Sequence, residues 1–191
     1  MATDPGPNDD GRPRPAQRPP GGAMPVSVPL NLTLLRRPDL AARVTVASAY
    51  PNGFMFLLSV GFDLQRIPFE RVDFYAPREL RYPLPAQLQV RFSDGRVADS
   101  LVKLPGRRLD EEAVLVYTGG MAHPPHAEDQ ERDTFRRHET SWWVSPLPSP
   151  GTVEFTVRLR DSPEQAGTGM FAAELVLDAA RRAAVQWGAE R

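Results

Sequence analysis

Residues 53–64, GFMFLLSVGFDL, decide the fold. Phe54, Phe56, Leu58, Val60 and Phe62 recur at every second position, the period at which a β-strand returns a side chain to the same face. Met55 and Leu57 make the opposite face apolar too, so this strand sits centrally in a sheet or has its second face covered. Upstream, Val44, Val46 and Ser48 alternate with Arg43, Thr45 and Ala47, and Pro51-Asn52-Gly53 supplies a turn. Strands over 42–50 and 54–64 are therefore expected to form an antiparallel hairpin.

The same period extends in both directions. Val26, Val28, Leu30, Leu32 and Leu34 alternate with Ser27, Pro29, Asn31 and Thr33, and the prolines Pro25 and Pro29 mark an edge strand. Residues 65–84 read as a crossover, with Pro68, Pro77 and Pro83 breaking an apolar series. Leu88, Val90 and Phe92 form a strand that turns at Ser93-Asp94-Gly95-Arg96 into a return strand over 97–101. In that turn, Asp-Gly is expected to supply positive φ angles. A turn at Pro105-Gly106 precedes a strand through Val114–Tyr117. Residues 118–138 have no period and read as a long loop. Ser141–Val144 is again extended, the proline-rich string 146–151 turns the chain, and Val153, Phe155, Val157 and Leu159 form a strand with one wet face. A last strand is expected near 172–177. The chain then enters a helix over 179–187, N-capped by Asp178, with Ala180, Ala183, Ala184 and Trp187 on one stripe and Gly188 as the stop. About eight short strands with frequent turns predict a mainly-β fold, an antiparallel sandwich of Ig-like topology class with one short C-terminal helix. It is not a true immunoglobulin domain, because the cysteine pair is absent and no tryptophan sits in the central strand.

Composition bounds the function. The 191 residues carry Lys+Arg 23 against Asp+Glu 24, a net charge of −1, which argues against a protein built to hold nucleic acid or an anionic membrane. All but one of the basic residues are arginine, the exception being Lys103. With no cysteine there is no disulfide, thiolate site or thiol nucleophile. Residues 1–25 are rich in proline and glycine, have no aromatic residue and balance their charges. They read as a disordered tail ahead of a single domain over 26–191. No apolar run suits a signal peptide or a membrane span, which needs roughly 20 residues, so the cytoplasm is the expected location.

The candidate chemistry is sparse. His123, His126 and His138, with Glu128, Asp129, Glu131, Asp133 and Glu139 nearby, have the residue types of a metal site. Yet the series lies in a stretch with only Met121 and Phe135 to hold it, and Pro124-Pro125 breaks any helix that could align ligands. An exposed polar loop is the plainer reading. Nucleophile elbows, phosphate loops and dinucleotide motifs are absent, so no cofactor is implied. The acidic groups Asp110-Glu111-Glu112 and Glu128-Asp129 read as solubilising charge. The pairs Arg36-Arg37, Arg107-Arg108, Arg136-Arg137 and Arg181-Arg182 stand near Asp39, Asp110, Asp133 and Asp178, which favours local salt bridges over an anion clamp. Trp142 and Trp143 point to opposite faces, so one faces the core. The other, with Trp143 as the choice and Tyr50, Tyr75 or Tyr82 beside it, could stack on a sugar or anchor a protein partner.

The strings VTVASAYPNGFMFLLSVGF (44–62), LQVRFSDGRVADS (88–100) and WWVSPLPSPGTVEFTV (142–157), with the Gly119-Gly120 pair and the C-terminal Trp187, resemble an uncharacterised family of small proteins from high-GC actinobacteria. The likeness spans about residues 26–188. The family's loop after the glycine pair is often glycine-rich, whereas here it is MAHPPHAEDQERDTFRR, which speaks against an essential role for His123 and His126. The family has no established activity, so no site residue is carried over from it. The reading that remains is a non-enzymatic protein-interaction module. It would meet another protein, or a second copy of itself, through a sheet edge, an exposed aromatic (Trp143, Tyr75, Tyr82) or the 118–138 loop. A metal-dependent hydrolase using the three histidines and a carbohydrate-binding module are the alternatives.

Overall fold

The computed structural model describes residues 18–20, 22–63, 85–100, 113–123, 135–159 and 162–185. Nine strands and one helix occur among them: β1 (Val26–Arg36), β2 (Leu40–Tyr50), β3 (Gly53–Asp63), β4 (Pro85–Phe92), β5 (Val97–Asp99), β6 (Val114–His123), β7 (Phe135–Ser145), β8 (Thr152–Leu159), β9 (Ser162–Ala172) and α1 (Glu174–Val185). They form two antiparallel sheets packed face to face, in the orders β1-β2-β3-β7-β6 and β5-β4-β8-β9. The fold is a mainly-β two-sheet sandwich with one short C-terminal helix, as the period-two pattern predicts.

The β2–β3 hairpin turns at Pro51-Asn52 and pairs Tyr50 with Gly53 through to Leu40 with Phe62. β3 is the middle strand of its sheet, and Phe54, Phe56, Leu58, Val60 and Phe62 are all buried. Opposite them lie Val153, Phe155 and Val157 of β8 and Leu88 and Val90 of β4, each 0% exposed. The Phe56 and Phe155 rings meet edge to face with centroids 4.7 Å apart, and Phe171 of β9 stacks on Phe155 at 5.8 Å. These rings join the two sheets. Such pairs add roughly 0.5–1.5 kcal/mol each beyond their burial.

Three expectations are corrected. The helix starts at Glu174, five residues earlier than expected, so the strand expected near 172–177 ends at Ala172 and Asp178 is not a cap. Asp178 instead lies within the helix and pairs with Arg181 at 2.9 Å. The buried stripe is Val176, Ala179, Ala180 and Ala183, one turn upstream of the expected start, and it closes the sandwich beside β1 and β2. The preceding strand, β9, spans Ser162–Ala172. Its Gly167 and Gly169 hide it from a search for apolar alternation, and their lack of side chains is what lets β1 pack against it. A Cβ on Gly167 would lie 2.5 Å from the Leu34 carbonyl oxygen and 2.7 Å from Leu35 Cβ.

The third correction concerns residues 118–138. β6 runs on to His123 and β7 begins at Phe135, so both ends of that stretch are strand. Two physical causes masked it. The ladder shifts register between Tyr117 and Gly119, which breaks the alternation, and the inward positions after the shift are polar or small. The crossover at 65–84, the Pro105-Gly106 turn, residues 124–134, Trp187 and Gly188 lie outside the described residues, as does most of the 1–25 tail.

The crossing from β7 to β8 is tied down at both sides. In the 93–96 turn Gly95 alone of the Asp-Gly pair takes a positive φ, 89°. Arg96 donates from Nε to Asp94 at 2.8 Å and from Nη2 to the Leu147 carbonyl at 3.2 Å, and its guanidinium lies 5.0 Å from the Phe92 ring centroid. Ser149 donates to Asp94 at 2.5 Å, and Gly151 N–H donates to the Glu174 carboxylate at 3.0 Å. Local ion pairs also form where the arginine spacing predicts them, between Arg37 and Asp39 and between Arg181 and Asp178.

Two outcomes follow. Gly167→Ala must push apart β1 and β9 at a backbone carbonyl, so chemical denaturation should show a loss of about 2–3 kcal/mol. The Arg96 and Ser149 hydrogen bonds hold the Asp94 carboxyl at about 2, below its ordinary 3.8. Its contribution to stability is therefore full above about pH 4 and lost as the pH falls toward 2. Asp94→Asn should lower the midpoint at pH 7 and flatten that part of the acid unfolding profile.

Candidate functional site

On β7, His138, Thr140, Trp142 and Val144 occupy every second position and share the inward face with Leu58 and Phe56 of β3. Val144 belongs to the core, and Trp142 packs half-buried against it. Thr140 and His138 are only 2% and 3% exposed. The Thr140 hydroxyl donates to the Leu58 carbonyl at 3.4 Å and accepts from Trp142 Nε1 at 2.9 Å. This bond fixes the indole in a plane along the strand.

β6 supplies the other wall. Tyr117 lies opposite Trp142 and Gly120 opposite Thr140. The Tyr117 and Trp142 rings meet edge to face at 5.5 Å, and Tyr117 is 38% exposed. A Cβ on Gly120 would sit 2.8 Å from the Tyr117 hydroxyl, 3.0 Å from the Glu139 carbonyl and 3.3 Å from His138 Nε2. Glycine is therefore needed here for the tyrosine to lie along the strand, and the phenol and imidazole flank one small gap. The result is a half-open aromatic shelf with hydroxyl groups, beside a strand edge. Among the described residues β6 is paired on one side only, with β7. Thr118 and Gly120 are exposed along that edge with Tyr117.

The sequence candidates fall as follows. Trp143 is the fully buried member of the tryptophan pair, at 0% exposure, with its ring edge-on to Tyr50 at 5.6 Å. It is not an exposed platform; burial makes it a packing residue, and burial likewise raises the Tyr50 phenol above its usual value. The half-exposed rings are Trp142 and Tyr117. Tyr75 and Tyr82 lie outside the described residues, as does His126. His138 is buried in mid-strand opposite Ala122, while His123 ends β6 opposite Arg137. Among the described residues no group of three or more His, Asp or Glu side chains is placed to hold a metal ion. Arg137 pairs with Glu139 at 3.6 Å. Sequence reasoning passed over Tyr117, Thr140 and Gly120, although the Tyr-Thr-Gly-Gly string at the end of an apolar strand was the available signal.

No helix among the described residues is long and apolar enough to cross a membrane. Comparison of the chain with family models, with curated proteins and with solved structures finds no match.

Thr140→Val removes the acceptor of the Trp142 indole while preserving volume. It should cost about 1–2 kcal/mol in urea unfolding, with a shifted tryptophan emission in the folded state.

Proposed function

We propose that the protein is a non-enzymatic interaction module that takes an extended peptide segment onto the free edge of β6, with the Tyr117–Trp142 shelf receiving one of its side chains. The observation that carries this reading is the exposure of Tyr117, Thr118 and Gly120 along a strand that, among the described residues, is paired on one side. Such an edge presents unpaired N–H and C=O groups, and adding a strand to it satisfies them at little cost in rearrangement. Specificity then comes from alternate side chains of the guest, the inward one resting against Tyr117. A β-sandwich of this kind is consistent with a general interaction role, and no residue constellation on the described strands favours the hydrolase or sugar-binding alternatives.

The partner class is a protein, not a nucleic acid or a membrane. The balanced charge of −1 supports this choice, and the lack of cysteine supports a cytoplasmic setting. Kinship with small proteins of high-GC actinobacteria belongs to the same proposal. It rests on the 142–157 string and the strands around it.

The test is selection of peptides from a random displayed library on the full chain. Enriched peptides should slow amide exchange at 115–122 and lose binding to Thr118→Pro, which sets a proline in the middle of the accepting edge. Failure to enrich any peptide, or protection confined to other strands, would overturn the reading.

A further inference from the structure

The β6 edge carries one step more, which rests on its reading as a strand-accepting surface. Natural sheets blunt their edges with charges, prolines, bulges or short strands. Three of the edges here follow that rule. β1 has Pro29 and two register shifts, β5 is three residues long, and β9 carries Pro163 and Glu164. β6 has one register shift, between Tyr117 and Gly119, but its ten residues, VLVYTGGMAH, contain no proline and no Asp, Glu, Lys or Arg. A neutral edge has no charge with which to reject its own copy.

We propose that β6 pairs antiparallel with β6 of a second copy, about a twofold axis normal to the sheet and passing between Thr118 and Gly119. The register comes from the alternation of faces. Before the ladder shift, the inward positions are Leu115 and Tyr117, opposite Val144 and Trp142; after it they are Gly120 and Ala122, opposite Thr140 and His138. An antiparallel ladder about such an axis must set inward positions against inward positions. The shift meets that condition when the first half of one β6 faces the second half of the other. Centring the axis on Thr118 and Gly119 does so over the whole strand. Tyr117 then faces Gly120 of the second copy, so the large inward residue nearest the axis meets a residue with no side chain. The Tyr117 hydroxyl already lies over its own Gly120. Across the axis the two phenol rings therefore come together above the two glycines, where aromatic contact offsets the missing side chains.

The full chain is tested by light scattering after size exclusion over a concentration series. The mass should rise from 21.2 kDa toward twice that value, and Thr118→Lys should remain at the lower mass, with an unfolding midpoint equal to that of the wild type at dilutions where both are single chains. Because the chain has no cysteine, Thr118→Cys is a clean reporter. It should form a disulfide-linked dimer on mild oxidation, while Thr168→Cys, exposed on β9, should not. A wild-type mass of one chain at every concentration overturns the self-pairing, as does a dimer that Thr118→Lys leaves intact or equal cross-linking of the two cysteine variants. A monomer that still binds library peptides in a Thr118-dependent way leaves the strand-accepting edge standing without the second copy. A monomer that binds none removes both.

Discussion

The contact between the inward rows of β3 and β8 is the constraint on which the rest depends. Phe56 meets Phe155 edge to face at 4.7 Å, with Phe54 and Phe171 completing the group of rings. With these rings in place, the two sheets lie face to face and every strand's alternation acquires a meaning. Residues in phase with Phe56 are core, and residues out of phase face outward. The helix adds its Val176 and alanine stripe to the same core, and its start is bound to the β7–β8 crossing through the Gly151–Glu174 hydrogen bond.

Strands that contribute large apolar residues to this core were legible in the sequence. Period two over 42–50 and 54–64 gives β2 and β3 almost to the residue, and Val153 to Leu159 gives β8. The parts that escaped do other work at the inward face. β9 contributes Gly167 and Gly169, whose value is their lack of a side chain against Leu34 and Leu32. β6 changes phase at Thr118, and β7 places His138 and Thr140 inward, so neither shows an apolar alternation over 118–140. The helix stripe has the period that the alanines show but begins one turn earlier, because Val176 continues the stripe in a stretch whose Leu175, Val176 and Leu177 also suit a strand. In each case tertiary contacts overrode a local pattern.

The candidate site was legible only as a neighbourhood. Adjacent tryptophans at 142 and 143 must face opposite ways, and that much follows from the pleat. Which of them would be buried depends on the outward face of the five-stranded sheet, where Tyr50 and Trp143 pack together. The histidines have the chemistry of ligands, yet the strand that holds His138 buries it beside Thr140, where it forms part of a wall. The residues that define the shelf, Tyr117 and Gly120, are ordinary as types. Their significance comes from a bulge and from an edge that no described strand pairs with, neither of which is a property of a single residue.

The order of strands in the larger sheet also sets how the chain reaches this structure. β3 meets β2 across a two-residue turn, but its other neighbour is β7, and the Ser145 hydroxyl binds the Asn52 carbonyl across 93 positions of sequence. Closing so long a loop is entropically costly before any contact rewards it, and folds dominated by such pairings fold slowly. The apolar row of β3 is therefore covered in full only once β8, whose Phe155 meets Phe56, has joined it. A nascent or unfolded chain exposes this phenylalanine-rich strand, and its solubility during synthesis depends on the polar, charge-balanced segments that surround it.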